Sequence, residues 1–418
     1  MKRFGARPFV GKIVLLFASS FLACALATVS AQAEEPPVGL MLQGSLAEDS
    51  PRVRLTTTRG WGITLGGYLE AYYAYNFGRP ANGITEFRAF DNRHDTFTIQ
   101  AAALDVGVLL DRVEARLVLQ SGTGPATYYG ASEARRPGTA LTPATDAGLW
   151  RHLQQAWVAW KPTAAWLVDA GIFLTPIGPE SMATRKNHQW SHSVMFFALP
   201  FYLSGARVRF APTPKHALRV GVFNGWNNAT DNNTEKSVLA DWAFTPTERI
   251  TLGLAYFAGV ERPKGAAEGR AVRHLIDALA VWQTFSRLTL SAHADGGVEP
   301  NRFGVSSWLA GSLSPRVRLL APLFASVRGT VFAERRASNG SGEAASIVLP
   351  ADRIVSGTAT LEAVPADGLS VKLEARQDRA SSAIYYGRRT TGDGSDAAPF
   401  VATRRDATTL TLGATAWF

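Results

Sequence analysis

The chain has 418 residues, of which 46% are hydrophobic, 10% aromatic and 18% charged, with 38 glycines and a formal net charge of +9. This aromatic content excludes a disordered polymer, and a mean hydropathy of −0.01 is too low for a bundle of membrane-spanning helices. Charged residues fall below the ~25% of ordinary soluble domains. The composition therefore favours a Gly- and aromatic-rich folded β-protein.

The first 33 residues have the three parts of a secretory signal peptide. Four basic residues precede an apolar stretch at 13–30, and an Ala-Gln-Ala cleavage motif follows at 31–33. An uncleaved anchor is the alternative, because the apolar stretch is long for a signal peptide. The acidic, proline-containing residues at 34–37 favour cleavage, so we predict an exported chain.

Cleavage would change the composition of the mature protein. It removes the only cysteine, Cys24, and leaves 39 basic against 34 acidic residues, a net charge of +5. Disulfides and cysteine metal ligands are thereby excluded. The small positive excess, without any Lys/Arg-rich tract, gives no reason to expect nucleic acid as a partner.

After a polar lead-in at 34–60, predicted to be periplasmic, apolar and polar residues alternate with period two. The first run, 61–77, is far longer than the five or six residues usual in soluble strands. In a later run, Val371 and Leu373 alternate with Lys372 and Glu374. Charged residues opposite an apolar face indicate a strand between lipid and a wet interior, as in an outer-membrane barrel.

Sixteen such runs follow one another. They lie near 61–77, 94–110, 112–120, 151–160, 165–175, 201–211, 217–224, 237–245, 250–258, 272–284, 287–295, 304–313, 318–333, 352–363, 369–378 and 406–418. The second run changes phase between Ile99 and Leu104, which predicts a β-bulge. Seven short connections alternate strictly with eight long ones between the runs. Among them, 296–303 is predicted to be a long loop and 314–317 a short turn. We predict an all-β fold, a closed antiparallel transmembrane β-barrel of sixteen strands over 61–418, with 14 or 18 strands left open.

Several segments resemble the OmpL-like family of outer-membrane β-barrel porins. They read GYLEAYYAYNF at 67–77, RPANG at 79–83, RAFD at 88–91, QAWV at 155–158, DAGIFLTPIG at 169–178, PFYLSGAR at 200–207, NGWNN at 224–228 and DNN at 231–233. The resemblance implies passive passage of small solutes across the outer membrane of a Gram-negative cell. Where the family tends to place an acidic residue in the second strand, Ala102 and Ala103 stand here. The terminal Phe418 of an apolar last strand likewise resembles the signal read by the barrel assembly machinery.

The loop at 176–200 resembles the constriction loop that narrows sixteen-stranded porins. Its apolar segment 195–197 favours a position inside the lumen, and an ordinary solvated loop is the alternative. The candidate constriction residues are Glu180, Arg185, Lys186, His188 and His192.

Residues on the inward face of the predicted strands form a candidate lumen wall. They are Glu70, Arg112, Glu114, Arg116, Asp169, Arg207, Arg209, Arg219, Lys372, Glu374 and Arg376. Each has an alternative interpretation as a member of an ion pair that only supports the wall. Apart from Glu70, cations outnumber acids seven to three in this set, which predicts a weak anion preference.

We therefore expect a porin for small hydrophilic solutes, without a cofactor, in contact with outer-membrane lipid. A channel specific for a sugar or for an anion such as phosphate, and a non-conducting barrel with a structural or enzymatic role, remain alternatives. Ser191 and His192 lie in no known catalytic motif, so an enzyme is not expected. The scattered histidines and the Asn/Asp cluster at 227–233 predict no metal site. A homotrimer is open, because trimers are common among sixteen-stranded porins.

Overall fold

The structure, a computed structural model, describes residues 53–56, 61–132, 147–338, 344–395 and 397–418. The predicted signal peptide and most of the lead-in lie outside the described residues. The barrel strands are β1 Gly62–Asn76, β2 Thr96–Leu109, β3 Val113–Ser121, β4 Leu153–Thr163, β5 Trp166–Leu174, β6 Tyr202–Thr213, β7 His216–Phe223, β8 Ser237–Thr247, β9 Ile250–Val260, β10 Val272–Phe285, β11 Leu288–Asn301, β12 Gly304–Leu320, β13 Leu323–Arg335, β14 Arg353–Ala366, β15 Leu369–Ala380 and β16 Asp406–Trp417. Each predicted run overlaps one of these strands.

The sixteen strands close into a barrel. Each pairs antiparallel with the next, and β16 pairs with β1 from Thr409 opposite Asn76 to Trp417 opposite Tyr68. Closure leaves no unpaired strand edge in the bilayer. A short strand of the lead-in, Val53–Thr56, pairs with the start of β1 beyond the end of β16. The predicted fold class is confirmed.

The two faces of the barrel have opposite chemistry. Apolar side chains on the outer face are exposed, as for Leu309 (68%) and Val220 (59%), whereas the inward Lys372 and Glu374 are each 1% exposed. Exposed tryptophans stand on the outer face towards the short turns: Trp160, Trp166, Trp242 and Trp282. An apolar belt edged with aromatic residues is the surface that a bilayer and its interface require.

Two predicted connections are wrong. The predicted loop 296–303 is mostly strand, because β11 runs to Asn301, and Gly297 provides room for a ring: a Cβ there would meet Trp308 Cη2 at 2.0 Å. The predicted turn 314–317 lies inside β12, which ends at Leu320. Pro315 cannot donate a backbone hydrogen bond, so β12 does not pair with β13 at this point. The register of the two strands is the same before and after the gap.

The predicted bulge in β2 is confirmed at Gln100. Glu70 is opposite Ala101 and Ala71 is opposite Ile99, so Gln100 is the additional residue. Its side chain turns inward and donates to Glu70 Oε2 over 2.8 Å.

Helices occur only in connections within the described part of the chain. The helix α1, Thr123–Ser132, and the short α2, Ala147–Trp150, belong to the connection between β3 and β4. Sequence periodicity misses α1 because it has no apolar stripe. No helix among the described residues is long and apolar enough to span a membrane.

Candidate pore constriction

The connection between β5 and β6 folds into the barrel. Its short 3₁₀ helix Val194–Ala198 is buried, with Met195 0% and Phe196 1% exposed. Phe196 stacks on Phe201 with ring centroids 4.9 Å apart, and Phe90 from the first long loop meets Phe196 edge-on. The apolar segment that favoured an internal loop is therefore its packed anchor.

The first polar anchor of this loop is Glu70 on β1. Its Oε1 accepts hydrogen bonds from the backbone N–H of Thr184 (2.6 Å) and from the Thr184 hydroxyl (2.7 Å). Gln100 satisfies the other carboxylate oxygen. Glu70 is fully buried, so these bonds replace the water that a carboxylate needs.

Three consecutive inward residues of β15 bind the loop backbone. Lys372 Nζ donates to the carbonyl oxygens of Thr184 (2.7 Å) and Asn187. Glu374 accepts from the N–H groups of Trp190 (2.6 Å) and Ser191 (3.1 Å). Arg376 Nη1 donates to His192 O over 2.5 Å. These charges hold the loop against the wall rather than facing it across a gap.

A further polar anchor joins the two halves of the loop to β13. Glu180 accepts from the backbone N–H of Ser193 at 2.9 Å and forms an ion pair with Arg328. Ser326 donates to His188 O over 2.9 Å. The loop thus has fixed contacts on β1, β13 and β15.

Burial and neighbouring charges shift the pKa values of the titratable groups in this loop. Burial and the nearby cations Arg316 and Lys372 lower the pKa of His188 to about 3. Burial also lowers the pKa of His192. The pKa of Glu180 is lowered by the Arg328 guanidinium and the Ser193 donors, which outweigh the opposing effect of its burial. Neutral histidines and an ionised Glu180 are the states that suit the docked loop.

An open cavity, continuous with solvent, remains between the loop and the opposite wall, and about 140 Å³ of it can hold the centres of water-sized molecules. Its charged lining comprises the cations Arg116, Arg185, Lys186, Arg207 and Arg219 and the acids Asp105 and Glu180. Arg185 lies with its guanidinium 5.7 Å from the Trp417 ring centroid.

The wall arginines are held by carboxylates on neighbouring strands. Arg116 donates to Asp105 (2.7 and 3.1 Å). Arg207 donates to Asp169 through Nη2 at 2.9 Å. Arg219 donates to Asp241 through Nε at 2.8 Å. Each pair orients a guanidinium, and together they place three cations along one side of the cavity.

The remaining predicted wall residues differ in their positions. Arg209 shares the inward face of β6 with Arg207, and Glu114 forms an ion pair with Lys161 near the turn. Arg112 does not lie on the wall: β3 begins at Val113, and the Arg112 side chain is 66% exposed in the turn. The Arg112 prediction was wrong because the alternation was extended one residue too far.

Sequence reasoning missed several partners in this region. They are Asp105, Thr184, Asp241, Arg328 and a buried group of Asp277, His293 and Asp295. The inward phase of β2, β8, β10, β11 and β13 would have marked the charged members as lumen residues. Thr184 had no such signal, since its role depends on where the loop docks.

The terminal residue lies at the barrel seam. Phe418 exchanges backbone hydrogen bonds with Gly67 (3.1 and 3.2 Å), and its side chain is 54% exposed.

A closed barrel with a charged interior and an inward loop is the structure of an outer-membrane porin. The chain belongs to the family described as "Putative beta-barrel porin-2, OmpL-like", which it matches over residues 62–418. This family is one of channels in the outer membrane, as the sequence resemblance predicted. No curated protein matches the chain.

Solved structures with the same fold include three outer-membrane proteins. The channel DcaP of Acinetobacter baumannii has a TM-score of 0.53 at 10% identity, covering 87% of this chain and 99% of its own. OmpT of Vibrio cholerae has a TM-score of 0.51 at 9% identity, and the match covers 88% of this chain and 100% of OmpT. An anion-selective porin from Comamonas acidovorans has a TM-score of 0.51 at 12% identity, and the match covers 86% of this chain and 100% of that porin. At these identities the likeness concerns the fold alone.

Proposed function

We propose that the barrel is an open pore through which small hydrophilic solutes diffuse passively, with a weak preference for anions. The observation that carries this proposal is the solvent-continuous cavity beside the docked loop, lined by five cations and two acids. A narrow passage with a net positive lining lowers the energy of an anion more than that of a cation.

Only part of the predicted set of charged residues contributes to this bias. Lys372, Glu374 and Arg376 are occupied by the loop backbone, so they set its position and contribute little to the passage. The bias comes from the loop residues Arg185 and Lys186 and from the arginines on the opposite wall. Each wall arginine has a carboxylate partner, so the net field is modest and the selectivity is weak.

A channel specific for an anion such as phosphate is the second candidate. Arg116, Arg207 and Arg219 line one side of the same cavity, and guanidinium groups bind phosphate oxygens well. Against it, Asp105, Asp169 and Asp241 already hold these guanidiniums. A specific channel would show block of the chloride current by phosphate, and a general pore would not.

The test is single-channel recording of the purified protein in a planar bilayer, with the reversal potential measured under a KCl gradient. We expect steady ohmic steps and a reversal potential on the chloride side of zero. The double variant R185Q/K186Q removes two positive charges from the cavity and shifts the reversal potential towards that of potassium. Lys215 lies exposed in the short turn between β6 and β7, so K215Q is the matched control and leaves the value unchanged.

Cation selectivity in the unaltered protein would overturn the anion preference. A folded barrel without conductance would overturn the pore itself, leaving a structural or enzymatic role.

We further propose how the chain is exported, inserted into the outer membrane and assembled. Residues 1–33 direct export, and Phe418 is the signal for the assembly machinery. The barrel functions as a homotrimer, a state for which cross-linking in outer-membrane vesicles is the test. One solved form of Vibrio cholerae OmpT is described as a trimer, which is a statement about that protein only.

A further inference from the structure

The inward faces of β10 and β11 carry a buried group of three potential metal ligands. Asp277 and Asp295 are directly opposite each other in the ladder, and His293 lies two residues before Asp295 on the same face. Asp277 is 1%, His293 5% and Asp295 2% exposed. One ligand atom from each lies within 4.8 Å of the other two.

Two of these side chains each have a buried polar atom without a hydrogen-bond partner. Trp308 Nε1 donates to Asp295 Oδ1 over 2.8 Å, which orients the carboxylate and leaves Oδ2 buried without a hydrogen-bond partner. His293 forms a pair with Asp277 through Nε2, while its Nδ1 is also buried without a partner. Buried polar atoms of this kind are costly unless something binds them.

The charge of the group points to a cation. Two carboxylates face each other across adjacent strands, and within the described residues no lysine or arginine lies within 4.0 Å of either one. A protonated His293 would compensate one negative charge at most. A divalent cation compensates both carboxylates and also accepts the lone pair of a neutral imidazole.

We propose that Asp277, His293 and Asp295 form a binding site for a divalent transition-metal ion such as Zn²⁺ or Co²⁺. Zinc bonds are about 2.0–2.2 Å long, so three ligand atoms within 4.8 Å of one another can reach one ion after small movements of their side chains. One imidazole with two carboxylates suits these borderline metals better than Ca²⁺, which takes oxygen ligands alone. Three protein ligands leave at least one position for water.

The site is covered by the beginning of the constriction loop. Gly178 N donates to Asp277 Oδ1 over 3.3 Å, and a Cβ on Gly178 would lie 3.3 Å from His293 Cε1. Bound metal therefore fixes Asp277 and, through it, the point where the loop leaves the wall. The site does not depend on conduction, so it stands or falls separately from the proposed pore.

The experiment titrates CoCl₂ into the purified, untagged protein in detergent after removal of metal with EDTA. Cobalt reports its ligands by visible absorption, and we expect saturation at one ion per barrel with displacement by ZnCl₂. H293Q and D295N should each weaken binding at least tenfold. His274, three residues before Asp277 and facing Tyr256, gives the matched control H274Q, which should bind as the unaltered protein does.

Absence of a saturable cobalt spectrum in the unaltered protein would overturn the proposal, as would full binding by H293Q and D295N. If either variant fails to fold, X-ray absorption of the cobalt-loaded unaltered protein decides. One imidazole with oxygen ligands is the expected first shell, and two or more imidazoles would overturn the site.

Discussion

At the scale of single residues, the lumen of this porin uses charge for attachment. Glu70, Lys372 and Glu374 are almost completely buried, and each binds backbone groups of the loop. A buried charge is stable only when hydrogen bonds replace its water, and the loop supplies them. The same side chains in an empty lumen would be solvated and would act on passing ions.

Replacement of Lys372 by methionine tests this attachment. K372M removes the ammonium donor shared by the carbonyl oxygens of Thr184 and Asn187, and Glu362 loses one of its two neighbouring cations. We expect a loss of about 3 kcal/mol in the free energy of unfolding, the usual cost of breaking a buried charged contact. Thermal unfolding followed by heat-modifiable migration on gels measures it. The control K215M, in an exposed turn, should unfold as the unaltered protein does; equal stability of K372M would contradict the assignment.

Acid should release the loop. His188 and His192 have lowered pKa values in the docked loop, so the undocked state takes up protons first and docking weakens as the pH falls below about 6.5. The lowered pKa of Glu180 acts in the same direction below about 4.5. We expect the undocked population to rise roughly tenfold or more between pH 7 and pH 4, seen as conductance fluctuations. H188Q should shift the onset to lower pH, and an unchanged profile would contradict a role for His188.

At the scale of elements, the position of the loop depends on a missing side chain in β16. A Cβ on Gly413 would lie 2.3 Å from Cε3 of Trp190, whose ring is 1% exposed. Close packing of this kind leaves no space for even a methyl group. The loop and β16 are therefore complementary in shape as well as in polarity.

The variant G413A should displace Trp190 and thereby weaken the hydrogen bonds that the backbone N–H groups of Trp190 and Ser191 donate to Glu374. We expect a barrel that folds, a loss of about 1–3 kcal/mol in stability, and a noisier, larger single-channel conductance. Gly357 on β14 has open space where its Cβ would be, so G357A is the matched control. A G413A channel indistinguishable from G357A would show that Trp190 does not set the constriction.

At the scale of the whole molecule, one seam completes the barrel. The pairing of β16 with β1 joins residues at opposite ends of the described chain, and Phe418 extends it by two backbone hydrogen bonds to Gly67. Without the seam, both strands would present unpaired backbone groups to lipid.

Deletion of residues 406–418 should therefore abolish the heat-modifiable folded form, both in cells and after refolding in detergent. F418A retains β16, so we expect it to refold in vitro but to reach the outer membrane in reduced amount. Fractionation of membranes measures the second effect. Normal assembly of F418A would remove Phe418 as the assembly signal, and folding of the truncated chain would contradict the role of the seam.

The sequence by itself determined the strands, their inward faces and the closed barrel, because the alternation of side chains along a strand is a local property with a period of two. The internal loop was predicted differently, from its resemblance to the constriction loop of sixteen-stranded porins and from its apolar segment 195–197. The prediction from alternation was wrong at 296–303, which is mostly strand and where Gly297 makes room for the Trp308 ring.

Only the tertiary structure decided which charges serve the loop, which line the passage and which form the buried Asp–His group. Thr184 binds Glu70 across 114 residues, and Trp190 binds Glu374 across 184. Such partners are set by closure of the barrel and by the direction in which one loop folds. Their side chains are alike in sequence, as inward charges on amphipathic strands, and burial against the loop gives them different roles.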